Sequence, residues 1–192
     1  MALAPTPGPT MTAADLLLLP DDGHRYDLSL GELIVTRPAL LWSSMVALAF
    51  VERIRPFVRE QRSGIVAGPD GGMLLHRDPD TLRAPDVSFI RRERIPPDLS
   101  HSGFVSVAPD LAVEVFSPSD RMVEVNRKIR DYFAAGTSLI WVVDPESRSA
   151  LVYHPDRPVE IVAPDGVLDG ETVLPGFALS LADLWAELDD DL

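Results

Sequence analysis

The chain has no cysteine and a single lysine among its 192 residues. Without cysteine it can form no disulfide framework, no thiolate zinc site and no cysteine nucleophile, and this composition suits the cytoplasm, where we expect the protein. A long apolar run is also missing, because Ser43 and Ser44 interrupt the longest mostly apolar stretch, residues 39–51. We therefore expect no membrane span and no secretory segment. Neither a glycine-rich phosphate loop nor a Gly-x-Ser-x-Gly elbow occurs, which argues against sugar- or nucleotide-processing enzymes.

Basic residues are scarce, since 17 of them face 30 acidic residues and the formal net charge is −13. This balance excludes a protein whose main task is to coat nucleic acid or an anionic membrane. The acidity is uneven, however. Residues 83–130 contain eight basic and seven acidic residues, whereas the remainder contains nine basic and 23 acidic residues. A local phosphate-binding site remains possible in that segment, with DNA binding that is weak and strongly salt-dependent.

The length and a hydrophobic content of 46% predict a single domain over residues 11–188. A flexible leader rich in proline and threonine, residues 1–10, precedes it, and an acidic tail, residues 189–192, follows. The order of the elements predicts an α/β (α+β) fold with one central sheet. Apolar spacing predicts four helices: one over 16–19, a long one from 42–44 to about 62 with a kink or break at Pro56, one capped by Ser119 or Asp120 and ended by Gly136, and one over 180–188. It predicts a strand pair over 26–35 and single strands over 65–67, 72–76, 87–90, 111–116 and 139–143. A hairpin of 150–154 and 159–162 follows the last of these strands.

A carboxylate interrupts the apolar segment LAVEVF of residues 111–116. Apolar residues on both alternating faces are typical of a central strand covered by helices, so Glu114 falls in the core. Burying an unpaired charge costs several kcal/mol, and Glu114 therefore needs a cation, a metal ion or a proton as its partner. The alternative is a strand end open to water, where Glu114 is a solvated edge residue.

The tripeptide Ala-Pro-Asp occurs three times and ends at Asp86, Asp110 and Asp165. Pro-Asp usually marks only a turn, and Asp165 precedes a glycine, as expected of a loop tip. Asp110 lies four strand residues before Glu114, roughly 13 Å away, which is too far to share one ion. Asp86 begins a different apolar strand, and if the two strands are neighbours its carboxylate can approach that of Glu114 to roughly 5 Å. The alternative for Asp86 is a turn residue that only precedes a strand.

Lys128 is the lone lysine beside 16 arginines. An ammonium group and a guanidinium group are not interchangeable at a catalytic site, so this lysine is a candidate for a specific role. On a helical wheel Lys128 lies roughly 85° from the centre of the apolar stripe, from where a long side chain can reach over the sheet. The alternative is an ordinary surface ion pair with Glu124, four residues earlier, worth a few tenths of a kcal/mol.

Asp86, Glu114 and Lys128 in this order resemble the PD-(D/E)-x-K nuclease superfamily. Longer stretches more closely resemble its Uma-type (Uma two) branch of bacterial restriction endonucleases, and the likeness extends from residue 11 to about residue 188. The stretches are MTAADL (11–16), YDLSLGEL (26–33), APDVSF (84–89), APDLAVEVFSPS (108–119) and NRKIRDYFAAG (126–136), followed by IWVVDP (140–145).

The resemblance implies a restriction-endonuclease-like core, with a central mixed sheet flanked by helices, and a metal-dependent DNA endonuclease that hydrolyses phosphodiester bonds. It implies that Asp86 and Glu114 bind Mg²⁺, or Mn²⁺ in its place, together with the main-chain carbonyl of Val115. The superfamily lysine follows the second acid by two residues, where this chain has Phe116. In the similar branch the lysine lies on the next helix, at Lys128, and would orient the attacking water and offset phosphate charge.

Further acids and partners follow from the same resemblance. Glu32, or Asp27, resembles an acidic residue that the N-terminal part of the fold often supplies. The partner would be DNA, and a homodimer is expected because cutting two strands requires two sites. Candidate phosphate contacts near the site are Arg91, Arg92, Arg94, Arg121, Arg127 and Arg130.

One departure from the family favours a second hypothesis. Many relatives have a histidine near the start of the long helix, where this chain has residues 42–44, Trp-Ser-Ser. The four histidines of the chain are scattered without ligand spacing and are expected in surface or loop positions. Together with the acidic net charge, this favours as the alternative a catalytically inert interaction or regulatory module on the same fold.

Overall fold

The structure is a computed structural model and describes residues 10–97, 99, 103–117 and 120–192. The predicted leader (except Thr10) and the candidate cap Ser119 lie outside these residues. The elements are α1 (Ala13–Leu16), β1 (Arg25–Ser29), β2 (Glu32–Thr36), α2 (Leu41–Gln61), β3 (Gly64–Ala67), β4 (Met73–His76), β5 (Thr81–Arg83), β6 (Val87–Arg91), a 3₁₀ turn (Arg92–Arg94), β7 (Leu111–Val115), α3 (Met122–Ala134), β8 (Leu139–Asp144), β9 (Ser149–Tyr153), β10 (Glu160–Val162), β11 (Val167–Asp169), β12 (Ala178–Ser180) and α4 (Leu181–Asp190).

The central sheet has six strands in the order β10-β9-β8-β7-β6-β3. It is mixed, because β7 and β8 run parallel while the other neighbours are antiparallel. Helix α3 makes the crossover between the two parallel strands, as such a connection requires. Helices α2 and α4 pack on one face of the sheet, and α3 packs on the other. The predicted mixed sheet flanked by helices is confirmed.

The pairing of β6 with β7 positions the two predicted acids. Val87 pairs with Val113 and Phe89 with Leu111. All four side chains are buried against α2 and α4. β6 and β7 are therefore neighbours, which is the condition on which the prediction for Asp86 depends, and Asp86 directly precedes and Glu114 directly follows the last pair, Val87 with Val113.

Helix α2 continues through Pro56, so the predicted break does not occur. A proline in a helix removes one hydrogen bond to the carbonyl four residues earlier, at a cost of about 3 kcal/mol. Here that carbonyl belongs to Glu52, which is exposed and can bond water, while Phe50 and Ile54 are fully buried and hold the helix on the sheet. Arg62, with φ 52°, ends the helix in the left-handed conformation.

A second sheet with the order β2-β1-β5-β4 lies beside the central one. The prediction of one sheet therefore describes only part of the fold. The strand pair predicted over 26–35 is confirmed as the hairpin of β1 and β2. Its two-residue turn, Leu30 and Gly31, has φ values of 51° and 76°, the type I′ geometry that glycine favours at its second position. This sheet lies beside α3, since Ser29 and Arg83 both donate hydrogen bonds to Asp131 of that helix.

The helix ends differ from the prediction in three places. Helix α1 covers Ala13–Leu16 and not residues 16–19. Helix α3 begins after Arg121 and has no side-chain cap, because the carboxylate of Asp120 accepts the N–H of Ser117 at 2.8 Å. Helix α4 extends through Asp190, beyond the predicted end at residue 188, and Asp189 pairs there with Arg148. No helix within the described residues is long and apolar enough to cross a membrane.

Candidate active site

Asp86 and Glu114 meet at one end of the β6–β7 pair. Glu114 is 5% exposed, so the interpretation as a solvated edge residue is wrong. Asp86 has a side chain that is 16% exposed, and its Oδ2 accepts the N–H of Val115 at 2.8 Å. The side chain of Asp86 thus satisfies a β7 backbone N–H just beyond the last backbone pair of β6 and β7. The structure thus brings both predicted acids together at the end of the same two strands.

Two side chains of α3 hold the Glu114 carboxylate. Lys128 donates from Nζ to Oε2 at 2.5 Å, and the hydroxyl of Tyr132 donates to Oε1 at 2.7 Å. Lys128 and Tyr132 are four residues apart and therefore share one face of the helix. The lone lysine pairs with a buried acid of the sheet, and the interpretation as a surface pair with Glu124 is wrong.

The protonation of both groups follows from their surroundings. Burial alone would lower the pKa of Lys128, but the carboxylates of Glu114 and Asp27 outweigh it and raise that pKa. Burial raises the pKa of Tyr132 well above its ordinary value, and Glu114 raises it further. Lys128 is therefore a cation and Tyr132 a neutral donor at any physiological pH.

Asp27 of β1 lies beside this cluster. Burial raises its pKa, and the nearby charges of Lys128 and Arg83 oppose the rise. Arg83 donates from one terminal nitrogen to Asp27 at 3.1 Å and from Nε and the other to Asp131 at 2.9 and 2.6 Å. The almost fully buried guanidinium of Arg83 thereby connects the second sheet to α3 and fixes Asp27 next to Lys128.

Glu32 lies outside the cluster. Its side chain is 66% exposed and pairs with Arg127. Arg127 also donates from Nε to the hydroxyl of Ser29 at 3.0 Å. Of the two candidates for an acid from the N-terminal part of the fold, the structure brings Asp27 to the Asp86–Glu114 pair and leaves Glu32 at the surface.

The charged form of Asp86 is disfavoured in the fold. Burial and the nearby Glu114 raise the pKa of Asp86 from 3.8 to about 6, while Lys128, the Val115 N–H and Arg25 oppose the rise. The described residues contain no cluster of three or more metal-ligating side chains. Mg²⁺ typically uses one or two carboxylates and retains several waters, so a pair of acids fits this ion.

The candidate phosphate contacts do not all lie near the pair. Arg91 and Arg94 are ion partners of Asp110 at the far end of β6, and Arg92 donates from Nε to the carbonyl of Arg62 at 2.7 Å. Five residue steps of strand, roughly 16 Å, separate Arg91 from Asp86. These three arginines stabilise the fold there, and the expectation that they surround the site is wrong.

Arg25, which the sequence did not indicate, is at the site. Its Nη1 lies 3.7 Å from Oδ1 of Asp86, and its Nε lies 2.5 Å from Oδ1 of Asp70. Tyr132 and Arg83 were also missed as site residues. The signal for Tyr132 was its spacing of four residues from Lys128, but the same spacing fits an apolar stripe. No periodic pattern points to Arg83 or Arg25.

Comparisons with known proteins identify the family and the fold. A family model described as "Putative restriction endonuclease" matches residues 13–182. A crystal structure of a protein from Anabaena variabilis ATCC 29413, described as a putative nuclease belonging to DUF820, superposes with a TM-score of 0.77 at 24% identity, covering 93% of this chain and 99% of the other. That likeness shows a common fold. The curated proteins contain no match to the chain.

Proposed function

The chain belongs to the Uma2 family, described as "Putative restriction endonuclease", and from this premise we propose that it is a DNA endonuclease that uses Mg²⁺ or Mn²⁺. One observation carries the proposal: the carboxylate of Asp86 reaches β7 next to Glu114, where it accepts the Val115 N–H, and Lys128 is bonded to Glu114. Two acids and one lysine supply the charges that phosphodiester hydrolysis needs, a metal site and a cation for the phosphate.

The carboxylates of Asp86 and Glu114 and the carbonyl of Val115 would hold the ion. Each oxygen of Glu114 already accepts one hydrogen bond, but a carboxylate oxygen has a second lone pair available. The N–H of Val115 points to Asp86, and within a strand the carbonyl of the same residue points to the same side. When bound, the ion supplies a water of lowered pKa and neutralises phosphate charge.

The remaining side chains would position and balance these groups. Lys128 fixes Glu114, and its ammonium group, with a side chain 28% exposed, can orient the attacking water and approach a substrate phosphate. Tyr132 fixes the other oxygen of Glu114. Asp27 holds Lys128 charged and is itself held by Arg83. Because Glu32 binds Arg127 at the surface, we propose no catalytic step for it.

The experiment is a cleavage assay on plasmid and single-stranded DNA with Mg²⁺ or Mn²⁺. Asp86→Asn and Lys128→Met are compared with two matched controls, Asp165→Asn in the exposed third Ala-Pro-Asp and Arg55→Met on the exposed face of α2. We expect the first two to lose about 100-fold or more in kcat/KM and the controls to lose less than about twofold. Circular dichroism establishes that each variant is folded.

A metal titration separates the enzyme from the inert module. Calorimetry with Mn²⁺ should show one site, and Glu114→Gln should remove it. Equal cleavage by wild type, Asp86→Asn and Lys128→Met would defeat the proposed site. A wild type that neither binds Mn²⁺ nor cleaves DNA would favour the interaction or regulatory module.

We also propose an assembly and a compartment. Cleavage of both strands of a duplex at one place requires two sites, so a homodimer is the proposed state for that activity. Light scattering coupled to size exclusion, with and without duplex DNA, measures it. The absence of cysteine fits the reducing cytoplasm, which is the compartment that we propose.

A further inference from the structure

A cavity of about 570 Å³ opens directly beside the Asp86–Glu114 pair. Its lining includes Asp27 and Lys128 of the site, and Arg25, whose guanidinium reaches towards Asp86. Ligand cavities in proteins typically measure roughly 300–1,000 Å³, so this one has the size for a single nucleotide and not for a duplex. Whatever enters it lies next to the proposed catalytic groups.

The inner wall of the cavity is apolar and belongs to the folded core. Leu16 and Leu82 are buried, and the rings of Tyr26 and Phe104 pack against the same cluster. A Cβ at Gly72, also in the lining, would meet an edge of the Phe104 ring at 2.7 Å, so glycine at this position leaves room for the ring. Aromatic side chains are what the face of a nucleobase stacks upon.

Polar side chains belong to the lining or hold its rings in place. Asp22 accepts the Tyr26 hydroxyl at 2.9 Å and lies 3.0 Å from Nδ1 of His24, so it fixes both rings. Ser44, at the start of α2, and Thr36 contribute hydroxyl groups to the lining. Side chains that face a base edge in this way can donate to and accept from it.

The charge of the lining is close to balanced, which decides what can enter. Arg25 and Lys128 are opposed by Asp27 and Asp70. A groove that follows a nucleic-acid backbone requires a strong excess of positive charge. A balanced cavity instead suits a neutral base, with one phosphate held at the end formed by Arg25 and Lys128.

We infer that this cavity binds one unstacked nucleobase of a DNA strand, and that the substrate therefore has an unpaired nucleotide beside the phosphate that is cut. The inference rests on the proposed nuclease function and specifies its substrate class. A base inside a duplex is stacked on both faces and must leave the stack before it can enter such a cavity. Single strands, bulges and frayed ends supply the unpaired base without that cost.

The test measures binding without metal, so it does not depend on cleavage. Fluorescence anisotropy in EDTA at low salt compares a labelled single strand with the same strand carrying abasic sites, which keeps every phosphate and removes the bases. Stacking on aromatic and apolar side chains strengthens the binding of a single strand. We expect the wild type to bind the intact strand about tenfold more tightly than the abasic strand, and a duplex with one bulged nucleotide more tightly than a continuous duplex.

Two variants fill the cavity from different elements. Ser44→Phe projects from α2 and Ala39→Trp from the segment before it, and each should abolish the preference for the intact strand. Ile161→Trp, at the exposed far edge of the central sheet, is the matched control and should retain it.

Equal binding of intact and abasic strands by the wild type would overturn the inference, even if the protein cleaves DNA. A preference that both filled variants retain would overturn it as well. Base-dependent binding that Ser44→Phe and Ala39→Trp abolish, in a protein that cleaves nothing, would support the base site and defeat the proposed endonuclease.

Discussion

Replacement of Asp86 by asparagine should stabilise the metal-free protein at neutral pH. The pKa of Asp86 is 3.8 in an unfolded chain and about 6 in the fold, because burial and Glu114 disfavour its charged form. A group with a raised folded-state pKa binds more protons when folded, so stability falls as pH rises from about 4 to 6. A shift of about 2 units corresponds to about 3 kcal/mol at pH 8. Asparagine resembles the protonated acid and keeps an oxygen for the Val115 N–H.

The assay is urea unfolding of both proteins in EDTA at pH 4.5 and pH 8. The advantage of Asp86→Asn should be about 3 kcal/mol at pH 8 and about 1 kcal/mol at pH 4.5. Saturating Mn²⁺ should stabilise the wild type and leave the variant unchanged, since only the wild type gains binding energy. A variant that is less stable than the wild type at pH 8, or a difference that is the same at both pH values, would refute the reasoning. Asp165→Asn, in an exposed loop, should show no difference at either pH.

Two further substitutions test the packing around the site. Tyr132→Phe removes the hydrogen bond to Glu114 and should lower the free energy of unfolding in urea by about 1.5–3 kcal/mol. It should also weaken Mn²⁺ affinity, measured by calorimetry, by about 10-fold or more. Unchanged values for both would show that this hydrogen bond contributes neither to stability nor to metal binding. Gly64→Ala places a Cβ 2.1 Å from the carbonyl oxygen of Ile90 and should cost about 2 kcal/mol or more. In the control Gly68→Ala the new Cβ would lie 3.9 Å from its nearest neighbour, a methyl group of Val51, and the melting temperature should change little. Equal changes of melting temperature in the two variants would contradict the steric explanation.

The central sheet could be predicted because its strands have strong and local signals. The apolar runs that became β6, β7 and β8 are four to six residues long, and the glycine and proline residues between them mark their ends. The pairing of β6 with β7 entered only as the condition under which Asp86 can approach Glu114. By contrast, β5, β11 and β12 have three residues each, too few for a period, and all three were missed.

The chemistry of the site was predictable where a residue was anomalous for its surroundings. Glu114 within an apolar strand and Lys128 as the lone lysine stood out, and they form an ion pair. Tyr132 did not stand out, because a tyrosine on the apolar face of a helix fits a core position equally well. Arg83 and Arg25 are indistinguishable by spacing from the other arginines. Their roles depend on which strands become neighbours, and local sequence carries little information about that.

The proposed nuclease requires that Asp86 and Glu114 bind the same divalent ion. Anomalous scattering from a crystal soaked in Mn²⁺ measures this directly. We predict one peak between the two carboxylates, at about 2.0–2.6 Å from an oxygen of each, with the carbonyl of Val115 as a further ligand. Under saturating Mn²⁺, an absent peak at that position, or a peak that touches only one of the two acids, would contradict it.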